Sequence, residues 1–145
     1  MATQQTDCRH FLSLLDLSLD EARALIARAT ELKRMRAAGQ DFKPLAGRTL
    51  AMIFEKSSTR TRVSFEAGMV QLGGHAIYLT HDVVLGARES VRDVARNLER
   101  FVDGIVVRTG PHEVALELAA QAAIPVINGL TLREHPCQAL ADVFT

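Results

Sequence analysis

Several features that mark common protein classes are scarce or absent in this sequence. It has only two cysteines, Cys8 and Cys137, which lie far apart and form no CxxC pair, so we expect neither a disulfide framework nor a zinc site. The histidines other than His135 show no ligand spacing, which argues against a metal of any kind. No apolar run approaches the ~18 residues of a membrane span, and the polar start lacks the apolar core of a signal peptide. These absences predict a cytosolic protein with reduced thiols.

An excess of charge of one sign is also absent. Lys+Arg and Asp+Glu both number 17, so the formal net charge is zero, and we expect no binding to nucleic acid or to a membrane surface. Two phosphate-binding patterns are missing as well, because neither the P-loop GxxxxGK[ST] nor the dinucleotide fingerprint GxGxxG occurs. An anion site in this protein must therefore be local and built in another way.

What the sequence does contain is an alternation of strand and helix patterns. Apolar runs typical of buried strands occur at 48–54, 75–79, 104–107 and 125–128, and helical patterns separate them. The alternation predicts an α/β fold, with a parallel sheet of about four strands and helices on both faces, a doubly wound architecture. In such sheets ligands bind beyond the carboxyl ends of the strands.

The predicted helices have recognisable starts, ends and faces. Ser18 and Glu21 form a capping-box pattern, and Gly39 ends the helix that follows. The helix after the first strand is apolar nearly all round, so we expect it to be well buried and to stop at Gly73. The helix before the third strand has an apolar face, made of Val91, Val94, Ala95, Leu98 and Phe101.

The stretch EKSSTRTRVSFE, residues 55–66, follows the first strand and begins the next helix. A helix N-terminus has unpaired N–H groups and a partial positive charge. The hydroxyls and the arginine of SSTRT add donors to the same place, which suits a phosphate group. The alternative is that one hydroxyl caps the helix and the others are only solvated.

Two further segments leave strand ends at the same predicted edge of the sheet. Arg108 ends the third strand, where it is either a second cation for the anion or a solvated strand end. His135 and Gln138 lie three residues apart at a helix start, so they can share one face. A lone histidine can equally be structural, and Cys137 between them is expected to pack rather than to act as a nucleophile.

The last residues, HPCQALADVFT, look like the first turns of a helix without a C-cap. We therefore expect one domain over residues 1–135 and, at residues 136–145, the start of a helix that leads into a second domain absent from this chain.

FEKSSTRTRVSFE, VVRT and HPCQALAD, in this order and spacing, resemble the carbamoyltransferases. The resemblance covers essentially the whole chain and identifies residues 1–135 as the carbamoyl-phosphate-binding, N-terminal domain of that family. Lys56 and Cys137 resemble the ornithine branch of the family more than the aspartate branch. The implied reaction moves a carbamoyl group from carbamoyl phosphate to the δ-amine of ornithine, giving citrulline and phosphate, with no metal or organic cofactor.

The resemblance also implies roles for individual residues. The implied catalytic residues are Arg60, Arg108 and His135. The implied carbamoyl-phosphate ligands are Ser58, Thr59, Arg60, Thr61, Arg108, His135, Pro136, Cys137 and Gln138. Leu130 matches the position whose backbone faces the carbamoyl group and ornithine. The family further implies a homotrimer, in which Arg88 of one subunit reaches the site of the next.

Two positions depart from the family pattern, and two other functions stay open. Val84 stands where a glutamine is common and Arg88 where a lysine is common, so the contact between subunits rests on Arg88 alone or the loop works differently. The acceptor could be aspartate or another amine. A different class of function is a phosphate-binding or assembly module that is inactive as a fragment.

Overall fold

The computed structural model describes residues 8–80 and 89–145. Its centre is a four-stranded sheet of β1 (Thr49–Phe54), β2 (His75–Thr80), β3 (Gly104–Arg108) and β4 (Val126–Leu130). The strand order is β2-β1-β3-β4, and every neighbouring pair is parallel. The predicted parallel sheet is confirmed, although β4 continues two residues beyond the predicted end at Asn128.

Helices surround the sheet in the described part of the chain. They are α1 (Leu19–Ala37), α2 (Thr59–Gln71), α3 (Val91–Leu98), α4 (His112–Gln121) and α5 (Pro136–Phe144). A short 3-10 helix, Leu14–Asp16, precedes α1. None of the helices in residues 8–80 and 89–145 is long and apolar enough to cross a membrane.

The core lies on both faces of the sheet, because side chains alternate along each strand. On one face, Ala51 and Ile53 of β1 pack with α3 and α4, through side chains that include Val94 and Leu118. On the other face, residues of β1 and β3 pack against α2, namely Leu50, Met52, Phe54 and Val106 against Phe65 and Met69. The predicted doubly wound arrangement, with helices on both faces, is confirmed.

The sequence signals at the helix ends are also confirmed. The Ser18 side chain accepts from the Glu21 amide at 3.3 Å, while the Glu21 carboxylate accepts from the Ser18 amide at 2.7 Å. Gly39 follows α1 with φ +69° and Gly73 follows α2 with φ +87°. These left-handed conformations favour glycine, so both residues end their helices.

Two burial predictions are wrong. In α2 only Met69 is buried, whereas Val63 and Val70 are 55% and 67% exposed. The helix packs on the sheet through Phe65 and Met69, so its Val63 side faces away from the sheet. Phe101 is 77% exposed because α3 ends at Leu98, and the helical spacing no longer applies beyond that residue.

The segment before α1 joins the sheet, which the sequence did not indicate. Phe11 forms an isolated parallel bridge with Ile127. Its amide donates to the Val126 carbonyl at 2.9 Å, and its carbonyl accepts from the Asn128 amide at 2.8 Å. The Asn128 side chain adds a 2.9 Å hydrogen bond to the Leu12 carbonyl. The outer edge of β4 is therefore partly covered.

Candidate active site

The carboxyl ends of β1 and β3 lie side by side, and the chain leaves them toward opposite faces of the sheet. After β1 it enters α2 on one face, and after β3 it enters α4 on the other. Such a reversal opens a crevice at the carboxyl edge of a doubly wound sheet. The three polar segments singled out in the sequence all leave the sheet at this edge.

Ser58 begins the helix on one side of the crevice. It is the N-cap of α2, and its hydroxyl accepts from the Thr61 amide at 3.4 Å and donates to the Thr61 hydroxyl at 3.0 Å. Arg60 lies in the same first turn. The turn therefore combines a helix N-terminus, hydroxyl groups and a guanidinium, which is a favourable environment for an anion.

Arg108 reaches the same turn from the end of β3. Its Nη1 donates to the Thr61 hydroxyl at 3.4 Å. Its Nε is buried and has no hydrogen-bond partner within the described residues. The pairing of β3 with β4 shifts register between Val107 and Arg108. Since a buried N–H group without an acceptor is costly, the Arg108 Nε is suited to an anion in the crevice.

His135 lies on the third side of the crevice as the N-cap of α5. Its Nδ1 accepts from the Gln138 amide at 3.4 Å, so the neutral ring carries its proton on Nε2. Burial, and then the positive charge of Arg108, lower the pKa of His135 below 6.5, although Asp142 opposes them. Both the capping bond and the lowered pKa favour a neutral imidazole that can donate from Nε2.

The two residues that follow Pro136 differ in chemistry. The side-chain Nε2 of Gln138 donates to the Asp142 carboxylate, one turn further along α5, at 2.7 Å, and this bond fixes the Gln138 side chain. Cys137 donates weakly to the Asn128 carbonyl at 3.4 Å, and burial raises the pKa of its thiol to about 11. A thiol with this pKa stays protonated at neutral pH, which agrees with a packing role for Cys137.

A cavity of about 540 Å³ unites these segments. Of the residues proposed from the sequence, eight line it: Ser58, Arg60, Thr61, Arg108, Leu130, His135, Cys137 and Gln138. Thr59 is exposed and Pro136 is fully buried, and neither lines the cavity. Arg88 and Val84 lie outside the described residues, so their predicted contact with a neighbouring subunit stays a prediction.

The cavity also contains residues that the sequence analysis missed. Ser64, Phe65 and Ala141 line it together with the predicted set. Ser64 lies one helical turn after Arg60, and its hydroxyl donates to the Arg60 carbonyl at 2.8 Å. Spacing of three or four residues from Arg60 and from Gln138 could have indicated Ser64 and Ala141.

Glu55 is a further residue near the crevice that the sequence analysis did not single out. This residue follows β1 directly, and its carboxylate accepts hydrogen bonds from Thr109 and Gly110, just beyond Arg108. An acid placed directly after a buried strand was the available sequence signal. Within the described residues, no group of three or more His, Cys, Asp or Glu side chains is placed to hold a metal ion.

The fold and the crevice define a parallel α/β domain with a polar crevice at its topological switch point, the place where domains of this architecture bind ligands. Comparison with known families identifies it further. The family model for the aspartate/ornithine carbamoyltransferase, carbamoyl-P binding domain, matches residues 9–145, and the chain belongs to this family. The resemblance seen in the sequence is thereby confirmed.

Individual relatives agree with the family assignment. The chain is 56% identical over 138 residues to the ornithine carbamoyltransferase of Methanospirillum hungatei, covering 94% of this chain and 46% of the relative. It is 53% identical over 140 residues to "Ornithine carbamoyltransferase 1, anabolic" of Pseudomonas savastanoi pv. phaseolicola, covering 96% and 46%. The solved ornithine carbamoyltransferase from Pyrococcus furiosus matches with a TM-score of 0.91 and 46% identity, over 94% of this chain and 44% of that one. The chain thus spans a little under half the length of these relatives.

Proposed function

We propose that this chain supplies the carbamoyl-phosphate half of a site that transfers a carbamoyl group to the δ-amine of ornithine. The products are citrulline and phosphate. The observation that carries the proposal is the single cavity in which Arg60, Arg108 and His135 meet at the N-terminus of α2. The names of the relatives support ornithine, rather than aspartate, as the acceptor.

The phosphate group would lie at the first turn of α2. There the backbone N–H groups, the hydroxyls of Ser58, Thr59 and Thr61, and the guanidinium of Arg60 are donors of the kind that phosphate oxygens accept. Arg108 would add a second cation from β3, with its buried Nε as a further donor. These groups would bind the substrate and then stabilise the charge on the departing phosphate.

The carbamoyl group would extend toward α5. When the amine attacks the carbonyl carbon, negative charge develops on the carbonyl oxygen, and donors placed around that oxygen lower the barrier. Arg60, Thr61 and the Nε2–H of a neutral His135 would be these donors. Gln138 would accept from the carbamoyl NH2 group and orient it, while Pro136 and Cys137 shape the loop. The backbone at Leu130 would face the carbamoyl group and ornithine.

The acceptor side of the site would come mainly from a second domain. We propose that residues 1–135 are the carbamoyl-phosphate-binding domain and that residues 136–145 begin the helix that connects it to an amino-acid-binding domain. A site completed by domain closure has little activity when one domain is missing. Binding of carbamoyl phosphate without turnover is therefore the activity that we expect of these 145 residues.

Three broader properties complete the proposal. The family resemblance supports a homotrimer, or a multiple of trimers, in which Arg88 reaches the site of a neighbouring subunit. The anabolic name of one relative supports a role in arginine biosynthesis. We also propose a cytoplasmic location, which the family resemblance supports.

The proposal is tested by calorimetry with phosphonoacetamide, a stable phosphonate analogue of carbamoyl phosphate. We expect saturable binding to the 145-residue chain, and competition by carbamoyl phosphate. Parallel assays of this chain with ornithine and with aspartate should show little or no citrulline or carbamoyl-aspartate, because the second domain is missing. The absence of binding would contradict the phosphate site. Turnover with aspartate but not with ornithine would show that aspartate, and not ornithine, is the acceptor.

A further inference from the structure

Glu55 holds the turn that follows Arg108. One carboxylate oxygen, Oε2, accepts from the Thr109 hydroxyl at 2.6 Å and from the Gly110 amide at 3.1 Å. The backbone amide of Glu55 also donates to the Arg108 carbonyl at 2.9 Å. A short segment after β1 therefore makes three hydrogen bonds to residues that lie more than 50 positions later in the chain.

The same turn is joined to the loop that precedes His135. The Thr109 amide donates to the Leu130 carbonyl at 3.0 Å, and the Gly110 carbonyl accepts from the Leu132 amide at 2.8 Å. Gly110 is thus hydrogen-bonded to Glu55 through its amide and to the His135 loop through its carbonyl. The Glu55 carboxylate consequently lies at the junction of the three segments that form the crevice.

Electrostatics alone does not account for a carboxylate at this place. A negative charge beside an anion site opposes anion binding. Glu55 forms no ion pair within residues 8–80 and 89–145, so it does not serve to neutralise one of the site arginines there. Its described contacts are hydrogen bonds to a turn, and Thr109 in that turn is only 2% exposed. The contacts are those of a group that fixes geometry.

We propose that Glu55 is a positioning residue for the anion site, acting through Thr109 and Gly110 on Arg108 and on the His135 loop. The inference rests on the proposed carbamoyl-phosphate site. Its physical basis is that an arginine contributes to binding only while its N–H groups point at the ligand, since orienting it during binding costs conformational entropy. Fixing the turn next to Arg108 removes part of that cost in advance.

The test compares phosphonoacetamide affinity, measured by calorimetry, in the wild-type chain and in Glu55→Ala, Glu55→Gln and Glu117→Ala. Glu117 is an exposed acid of α4, and its replacement removes the same charge at a distance from the cavity. We expect Glu55→Ala to weaken binding about tenfold, as the loss of hydrogen bonds to a charged acceptor implies. Glu55→Gln keeps an oxygen that can accept both bonds, so it should stay within about threefold of wild type. Glu117→Ala should bind like wild type.

The direction of the change in affinity distinguishes a positioning role for Glu55 from an effect of its negative charge. If charge dominated, both Glu55 variants would bind the anion more tightly than wild type, and that result would overturn the inference. Unchanged affinity in a folded Glu55→Ala chain would overturn it as well. Wild-type protein that binds no phosphonoacetamide would overturn the proposed function, and this inference with it.

A second variant covers the case in which Glu55→Ala does not fold. Thr109→Val removes the hydroxyl donor but keeps the shape of the buried side chain. We expect it to weaken binding about threefold, and to move the amide resonances of Gly110 and Leu132 in a nitrogen–proton NMR spectrum. Wild-type affinity in Thr109→Val, combined with wild-type affinity in Glu55→Gln and a non-folding Glu55→Ala, would show that Glu55 serves stability alone.

Discussion

Arginines at the two edges of the sheet differ in whether they are paired with an acid. At the amino edge, Arg48 precedes β1 and forms an ion pair with Asp103 at 2.5 Å, and the same carboxylate accepts from the Thr49 amide at 2.8 Å. At the carboxyl edge, Arg60 and Arg108 converge on one cavity and form no ion pair within the described residues. One edge pairs its positive charge internally, and the other holds the arginines that we propose bind the anion.

The difference separates an arginine with a structural partner from the arginines of the proposed binding site. The Arg48–Asp103 pair joins the starts of β1 and β3 with the Arg48 side chain exposed and Asp103 half-buried, so it contributes modestly to stability and does not depend on a ligand. Among the residues that the structure describes, the buried Nε of Arg108 has no hydrogen-bond partner, an arrangement that costs stability unless an acceptor is bound. An unsatisfied cation at a strand end is therefore a better indicator of function than an arginine alone.

The largest predicted effect is a loss of anion affinity when one arginine is replaced by alanine, and the comparison replaces one arginine at each edge. Arg108→Ala should weaken phosphonoacetamide binding about 100-fold, because it removes charge-assisted hydrogen bonds to the anion. Arg48→Ala should leave the affinity unchanged and lower the melting temperature slightly. Calorimetry measures the affinities, and thermal unfolding followed by circular dichroism measures the stability. Equal losses of affinity in the two variants would remove the distinction between the edges.

The second prediction uses pH, because the two edges should lose stability in different ranges. The pKa of His135 lies below 6.5 in the folded chain, so on acidification the unfolded chain takes up the proton first. Stability is therefore fully present above pH 6.5 and falls as the pH drops from there toward the folded pKa. Hydrogen bonding by the Thr49 amide, and then by Arg48, lowers the pKa of Asp103 below 3.8, so its contribution is lost only below about pH 4.

Melting temperatures measured from pH 8 to pH 3 test this separation. His135→Gln should reduce the fall in stability between pH 6.5 and pH 5, and Asp103→Asn should reduce the fall below pH 4. Burial also lowers the pKa of His10, so part of the loss in the upper range should remain in His135→Gln and decrease further in the double variant with His10→Gln. A pH profile of His135→Gln that matches wild type would contradict a neutral His135 in the fold.

The smallest predicted effect is a difference in the rate at which iodoacetamide modifies the two cysteines, Cys137 in the cavity and Cys8 near the start of the chain. Burial raises the pKa of the Cys137 thiol to about 11 and raises that of Cys8 as well. At pH 8 roughly one Cys137 in a thousand is then a thiolate, so iodoacetamide should modify it more slowly than Cys8. Mass spectrometry of tryptic peptides over a time course measures both rates. Faster modification of Cys137 would show an activated thiol in the cavity.

Most of the fold could be predicted from the sequence, because its elements are set by neighbouring residues. Apolar runs such as 49–54 have one stable placement, in the middle of a parallel sheet covered on both faces. The cap at Ser18 follows from a side chain that reaches an amide within one turn. The prediction failed for α2, where apolar composition all round did not reveal that the Val63 side of the helix faces away from the sheet.

The candidate site divides in the same way. The cluster at 58–61 was visible in the sequence because the hydroxyls and arginines are contiguous and begin a helix. That Arg108 and His135 join them followed from the rule that parallel strands end at one edge. The bond between Arg108 and Thr61, 47 residues apart, depends on the register of β1 with β3, which no local pattern gives.

By itself the sequence determined where helices and strands lie, how their ends are capped and which edge of the sheet carries the polar groups. Each of these depends on interactions within a few residues, or on burying a continuous apolar run. Only the tertiary structure decided that Glu55 binds the turn at Thr109 and Gly110 and that Phe11 pairs beside β4. The residues in these contacts are separated by 54 to 116 positions in the sequence. Their pairing is fixed by the order and register of the strands rather than by neighbouring residues.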